Sequence, residues 1–85
     1  MHTGGGAPLD ILDARGLLCP VPVLRTRERL AVLPPSARLD VVADDPLARL
    51  DLRVFCEREG HIYLDEREEP GGGWRVALQK ANPRP

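Results

Sequence analysis

Apolar and polar residues follow two periods along this chain, and the changes between them divide it into six predicted elements. Alternation with a period of two, typical of strands with one buried face, predicts strands at residues 9–14, 37–43, 61–66 and 74–80. Apolar residues three or four positions apart predict helices at residues 20–33 and 46–59. Prolines, glycines and acidic turns separate these elements, whose order is βαβαββ.

The spacing within each predicted helix indicates which side is buried. The inward positions are Val23, Thr26, Leu30 and Leu33 in the first helix, and Leu47, Leu50 and Val54 in the second. Asp51 falls among the inward positions of the second helix. Because a buried carboxylate must be paired or hydrogen-bonded, we expect Asp51 either to lie at an edge beside an arginine or to support a functional site.

The order βαβαββ predicts an α+β fold, a two-layer sandwich in which two helices cover one face of a mixed four-stranded sheet. Two strands joined by a helix are parallel when they share a sheet, so the first two strands end at the same edge. Chemical sites in such folds gather at that edge. The turn that carries Cys19 and the turn that carries Asp44 and Asp45 are therefore expected to be neighbours.

Cys19 stands at the predicted start of the first helix, within residues 16–23. Proline is favoured in the first helical turn because the N–H that it lacks would have no partner there. Pro20 is therefore predicted at the first helical position and Pro22 at the third, which makes Cys19 the N-cap residue. Serine, threonine, aspartate or asparagine usually holds that position, so a cysteine there favours a chemical role.

A helix N-terminus stabilises an anion through its partial positive charge and free N–H groups, and it lowers the pKa of a thiol. The prolines leave the N–H groups of Val21 and Val23 to face the sulfur, and Gly16 forms the turn before it. We therefore expect a reactive thiolate at Cys19. A packing role is the alternative, and it is the one we favour for Cys56 near the far end of the second helix.

The composition of the chain argues against several classes of function. The chain has 85 residues, enough for one small domain with a thin core. Lys plus Arg number 12 and Asp plus Glu 13, and the net charge of -1 argues against nucleic acid as a partner. The two cysteines do not form a disulfide framework, and no cysteine–histidine cluster has zinc spacing. No glycine-rich turn has the form of a nucleotide-binding loop, so we expect no metal and no cofactor.

The organisation of the chain is expected to be simple. No signal peptide or membrane-spanning run is apparent, so we expect a cytoplasmic monomer with free thiols and no contact with membranes. Residues 1–8 are expected to form a disordered tail, residues 9–80 a single domain and residues 81–85 a frayed end.

Several motifs together resemble the TusA-like, or SirA-like, sulfur-carrier family. The Cys-Pro-x-Pro motif lies within residues 12–22, and the resemblance continues through residues 43–46, Asp51, residues 55–56 and residues 60–61. The resemblance covers nearly the whole predicted domain. It implies the same two-layer fold.

The resemblance also implies that Cys19 carries sulfur as a persulfide between two proteins. The donor would be a cysteine desulfurase or a rhodanese. Leu18 and Val21 replace residues that are common in that family, so tRNA thiolation, molybdenum cofactor synthesis and sulfur oxidation all stay open as pathways. The residues expected to support the site are Gly16, Pro20, Val21, Pro22, Val23, Asp45 and Asp51.

Other interpretations of these residues are kept as hypotheses. Arg15, Arg25 and Arg29 are expected to form a basic patch that docks a partner, or else a solvated helix face. Asp44 and Asp45 either cap a helix and meet solvent, or tune the protonation of Cys19.

The sequence also leaves two alternative functions open. The protein could be a non-catalytic redox-sensing or regulatory module that uses the same surface. It could also be an RNA-binding domain, which rests on fold analogy and is disfavoured by the balanced charge. A disulfide between Cys19 and Cys56 would belong to the redox interpretation.

Overall fold

The computed structural model describes residues 9–82, and it confirms the predicted element order. The elements are β1 (Leu9–Asp13), α1 (Val21–Val32), β2 (Arg38–Ala43), α2 (Ala48–Glu59), β3 (Ile62–Glu68) and β4 (Trp74–Gln79). The predicted tail at residues 1–8 and the last three residues of the predicted frayed end lie outside the described residues. Within residues 9–82, no helix is both long and apolar enough to cross a membrane.

The four strands form one mixed sheet in the order β1-β2-β4-β3. β1 and β2 are parallel, whereas β4 is antiparallel to both β2 and β3. The parallel pairing extends past β1, because the N–H of Ala14 donates to the carbonyl of Val42 at 2.7 Å. The turns that follow β1 and β2 therefore leave the sheet at the same edge, as the sequence predicts.

The core lies between the sheet and the two helices. It is built from β2 and β4 side chains such as Leu39, Val41, Val76 and Leu78, all fully buried, together with Leu30 of α1. Leu30 and Thr26 are buried on α1, as predicted, while Val23 and Leu33 only border the core. The hydroxyl of Thr26 is satisfied by donating to the carbonyl of Pro22 at 2.7 Å.

The predicted buried face of α2 is wrong. Leu47, Leu50 and Val54 are exposed to 54%, 59% and 38%. The side chains that α2 buries are Ala48, Leu52, Phe55 and Cys56. This helix carries two apolar stripes at helical spacing. The stripe that contains the aromatic ring of Phe55 packs on the sheet, because its burial removes more apolar surface from water.

β3 also departs from the prediction. It runs two residues further than expected, and an irregularity at Leu64 interrupts its pairing with β4. Ile62 and Leu64, two positions apart on β3, are both about half exposed, at 49% and 45%. The phenol of Tyr63 donates to Glu66 at 2.6 Å, so these two side chains lie together.

The open face of the sheet holds a buried charge that the alternation did not predict. Asp40 lies between Leu39 and Val41 on β2, so alternation places it on the face opposite the core, yet it is 1% exposed. Arg38 and Arg75 each donate to its carboxylate at 2.8 Å. Burial alone would raise the pKa of Asp40, but the hydrogen bonds from the two arginines outweigh it and hold the pKa below its usual value.

We expect Asp40→Asn to lower the free energy of unfolding by about 2 kcal/mol, because it leaves two arginines without a charged partner over a buried site. Since the pKa of Asp40 is lowered by folding, its contribution is present above the unfolded pKa and is lost as the pH falls through the folded pKa. Urea unfolding at neutral pH measures the loss. Glu68→Gln, at an exposed position on β3, is the control and should change stability by less than about 0.5 kcal/mol.

Candidate functional site

Cys19 lies in the loop between β1 and α1, with its side chain exposed. The predicted capping position needs correction, because the N-cap is Pro20 and Cys19 precedes it. The peptide bond between these two residues is cis. The N–H of Val21 donates to the carbonyl of Leu18 at 2.8 Å, so it does not face the sulfur as expected. Pro22, predicted at the third helical position, is the second residue of α1 and is buried.

Two carboxylates from the turn after β2 hold the backbone of the cysteine loop. Asp45 accepts the N–H of Cys19 at 2.5 Å, and Asp44 accepts the N–H of Gly16 at 3.0 Å. Asp45 also accepts the N–H of Leu47 at 2.9 Å, which caps the turn that leads into α2. These hydrogen bonds from Leu47 and Cys19 lower the pKa of Asp45 and keep it ionised. The predicted proximity of the two turns is confirmed.

The side chain of Cys19 turns toward α2 rather than toward the start of α1. Its thiol donates to a carboxylate oxygen of Asp51 at 2.7 Å. Asp51 lies in the first turn of α2, so the starts of both helices adjoin the sulfur.

The environment raises the pKa of Cys19, which is opposite in direction to the prediction. The hydrogen bond to Asp51 is the largest cause, followed by partial desolvation and the negative charges of Asp51 and Asp45. A carboxylate that accepts the thiol proton stabilises the protonated form. Cys19 is therefore a protonated thiol at rest, with a proton acceptor in direct contact.

A groove of about 400 Å³ runs from Cys19 between α1 and α2. Val23 of α1 and Leu50 and Val54 of α2 line it, and the buried ring of Phe55 lies at its base. The second apolar stripe of α2 is thus a wall of this groove. The spacing of Leu50 and Val54 marks this stripe in the sequence, although the same spacing predicts buried core positions.

Further apolar side chains are exposed beside Cys19 in the chain, in the turn after Asp45 and on the wall of the groove. Leu18, directly before the cysteine, is 72% exposed, and Leu47 and Leu50 are more than half exposed. Contiguous exposed apolar side chains on a small protein mark a surface that contacts another molecule. An exposed thiol, a proton acceptor and an apolar rim together are suited to exchange of a sulfur atom between two thiols.

Comparison with known proteins agrees with this chemistry. The family model described as Sulfurtransferase TusA matches residues 10–80. The protein belongs to the TusA family.

Individual relatives and a solved structure support this assignment. The sulfur carrier protein TusA of Pseudomonas paraeruginosa (strain DSM 24068 / PA7) is 43% identical over 65 residues, which are 75% of this chain and 82% of the relative. That of Pseudomonas fluorescens (strain SBW25) is 42% identical over 65 residues, 75% and 78% of the two chains. The crystal structure of the SirA-like protein from Desulfitobacterium hafniense has a TM-score of 0.74 at 26% identity, and covers 86% of this chain and 99% of its own.

The second cysteine of this TusA-family chain lies in a different environment. Cys56 is 2% exposed within the core cluster, and burial raises its pKa to about 11. Both cysteines are free. A thiol that is buried and protonated at neutral pH is inert, as expected of a packing residue.

Two of the three arginines predicted to form one docking patch have separate partners. Arg15 pairs with Asp13 at 2.9 Å, and Arg29 pairs with Asp10 at 2.7 Å, so both are tied to β1. Arg25 is exposed on α1. The arginines that line the groove are instead Arg27 and Arg58, and neither is among the site residues predicted from the sequence. Arg27 and Arg58 line the same groove as Cys19 because of the way in which α1 and α2 face each other. Residue spacing along the chain does not predict which sides of two helices face each other.

Within residues 9–82, no group of three or more His, Cys, Asp or Glu side chains is arranged to hold a metal ion. The acidic residues near Cys19 are occupied by the backbone of its loop and by its thiol.

Proposed function

We propose that this TusA-family protein is a sulfur carrier that holds a persulfide on Cys19. It takes the outer sulfur from a protein donor, such as a cysteine desulfurase or a rhodanese, and gives it to a protein acceptor. The acceptor belongs to a route that ends in thiolated tRNA, in the molybdenum cofactor or in sulfur oxidation. The observation that carries this proposal is the exposed thiol of Cys19 in direct hydrogen-bond contact with Asp51 at 2.7 Å.

The loading step follows from this contact. When a donor persulfide approaches, the thiol proton of Cys19 passes to the carboxylate of Asp51, and the thiolate attacks the outer sulfur of the donor. A new bond forms between the two sulfurs, the sulfur–sulfur bond of the donor breaks, and its electron pair leaves on the donor thiolate. The proton then moves from Asp51 to that leaving thiolate. No net oxidation or reduction takes place.

The surroundings of Cys19 support the remaining steps. The raised pKa keeps the unloaded cysteine protonated, so it reacts slowly with oxidants until a partner docks. The exposed apolar rim, including Leu18 and Leu50, is available for the donor and then for the acceptor. Cys19, Asp51 and the groove come from one chain, so a monomer has a complete site. Free thiols that cycle through a persulfide suit a reducing compartment such as the cytoplasm.

Loading by a protein donor tests the proposal. Purified protein incubated with cysteine, pyridoxal phosphate and the cysteine desulfurase from the same source is expected to gain one sulfur atom, seen by intact-protein mass spectrometry. Reductant should remove this sulfur, which distinguishes a persulfide from sulfinic or sulfonic acid. A regulatory protein-binding module would instead stay unloaded, and its affinity for its protein partner would be indifferent to Cys19→Ser. That pair of results would overturn the proposal.

A further inference from the structure

The groove beside Cys19 has a defined length. Cys19 and Asp51 lie at one end, where α1 and α2 begin, and Arg27, Arg58 and Glu59 lie at the other. Arg58 follows Asp51 by seven residues on α2, which corresponds to about 10 Å along a helix axis. The groove volume of about 400 Å³ is within the range of small-molecule sites.

The far end of the groove is bridged by side chains. Arg27 of α1 pairs with Glu59 of α2 at 3.6 Å, and its guanidinium lies 5.5 Å from the centre of the Phe55 ring. These contacts join the two helices across the groove. An extended peptide would have to cross this bridge, whereas a molecule of about 10 Å would fit in front of it.

The charge at this end favours an anion. The charge of Arg27 is offset by Glu59, with which it pairs. Arg58 lines the groove, and among residues 9–82 it has no ion-pair partner. One guanidinium is thus left to pair with a ligand, and guanidinium groups recognise carboxylates particularly well.

We propose that this groove binds a low-molecular-weight persulfide that carries a carboxylate about 10 Å from its outer sulfur, with the sulfur at Cys19 and the carboxylate at Arg58. Glutathione persulfide is such a molecule. Cys19 is then loaded without a protein donor. This inference rests on the proposed function only in using the same acceptor sulfur.

The reaction balances without a further reagent. The proton of the Cys19 thiol passes to Asp51, and the thiolate attacks the outer sulfur of the bound persulfide. The bond between the two ligand sulfurs breaks, and its electron pair leaves on the inner sulfur as a thiolate. That thiolate takes the proton from Asp51. The products are the persulfide of Cys19 and the free small thiol.

A matched pair of ligands tests the role of the carboxylate. The rate of Cys19 loading is measured by rapid quench and intact-protein mass spectrometry, with glutathione persulfide and with its dimethyl ester, at low salt. The wild-type protein should react faster with the acid than with the ester. Arg58→Gln should slow loading by the acid about threefold to fivefold, the range expected for one exposed ion pair, and leave loading by the ester unchanged.

Arg25→Gln is the matched control, because Arg25 is an exposed arginine of α1 that does not line the groove. It removes the same charge and should leave both rates unchanged. Equal rates for acid and ester in the wild type, or an equal effect of Arg25→Gln and Arg58→Gln, would overturn the groove assignment. Loading by the protein donor alone, with no reaction with either small persulfide, would also overturn it but leave the proposed function intact. No loading of Cys19 by any persulfide would overturn the proposed function itself.

Discussion

Replacement of Cys19 by serine is expected to abolish sulfur loading. A hydroxyl oxygen does not take up the sulfane sulfur of a persulfide, so the acceptor atom is lost. The fold should be retained, because Cys19 is exposed and a serine hydroxyl can also donate to Asp51. Intact-protein mass spectrometry after incubation with the donor measures the loss, and a thermal unfolding curve verifies the fold.

Cys56→Ser is the matched control for this variant. Cys56 is buried in the core, so the substitution places a hydroxyl among apolar neighbours and is expected to cost about 1–3 kcal/mol of stability. Loading with sulfur should nevertheless stay close to the wild-type level. Undiminished loading of Cys19→Ser, or loss of loading in a folded Cys56→Ser protein, would contradict the assignment of the carrier cysteine.

Asp51→Asn is expected to make Cys19 more reactive toward a small alkylating agent. The carboxylate of Asp51 is the main reason that the pKa of Cys19 is raised, so its neutralisation lowers that pKa. For each unit by which a thiol pKa falls, the thiolate fraction below the pKa rises tenfold. A thiolate of lower pKa is also a weaker nucleophile, which reduces the gain in the rate of alkylation to about threefold. We therefore expect alkylation by iodoacetamide at neutral pH to be at least about threefold faster if the pKa falls by about one unit or more.

The pH dependence of the alkylation rate shows whether Asp51 raises or lowers the pKa of Cys19. In the wild type the rate should rise with pH and level off only above the raised pKa of Cys19, whereas in Asp51→Asn the whole curve should lie at lower pH. Glu57→Gln removes the same charge from an exposed position of the same helix and should leave the curve in place. An unchanged curve for Asp51→Asn would show that the 2.7 Å contact does not control the thiol.

The fold could be predicted from local patterns because strand and helix periods are properties of short segments. The proximity of Cys19 and Asp45 could also be predicted, although the two residues are 26 positions apart. Parallel strands must end at one edge, and the 2.5 Å hydrogen bond between these residues confirms the consequence. The family could be predicted because the short Cys-Pro-x-Pro motif around Cys19 is followed along the chain by the further matching residues 43–46, Asp51, 55–56 and 60–61.

The side-chain geometry of the site could be predicted only in part. Leu50 and Val54 have the same spacing as core residues, and only the packing of Phe55 on the sheet shows that they face a groove instead. The thiol of Cys19 bonds Asp51 and not the start of α1, where Pro20 is the N-cap and the N–H of Val21 already donates to the carbonyl of Leu18.

The buried charge was beyond prediction for a different reason. Asp40 is covered by Arg75, which is 35 residues later and reaches it only through the pairing of β2 with β4. Alternation along one strand describes which face a residue occupies. It does not show whether long side chains from the next strand cover that face.

The most direct test of the central claim is to locate the transferred sulfur. Trypsin is expected to place Cys19 on the peptide of residues 16–25 and Cys56 on that of residues 54–58, so the two sites separate cleanly. After incubation with the donor and alkylation of the persulfide, mass spectrometry of the digest should find one additional sulfur on the peptide of residues 16–25 and none on the other. Additional sulfur on the peptide of residues 54–58, or on neither peptide, would contradict the claim that Cys19 carries it.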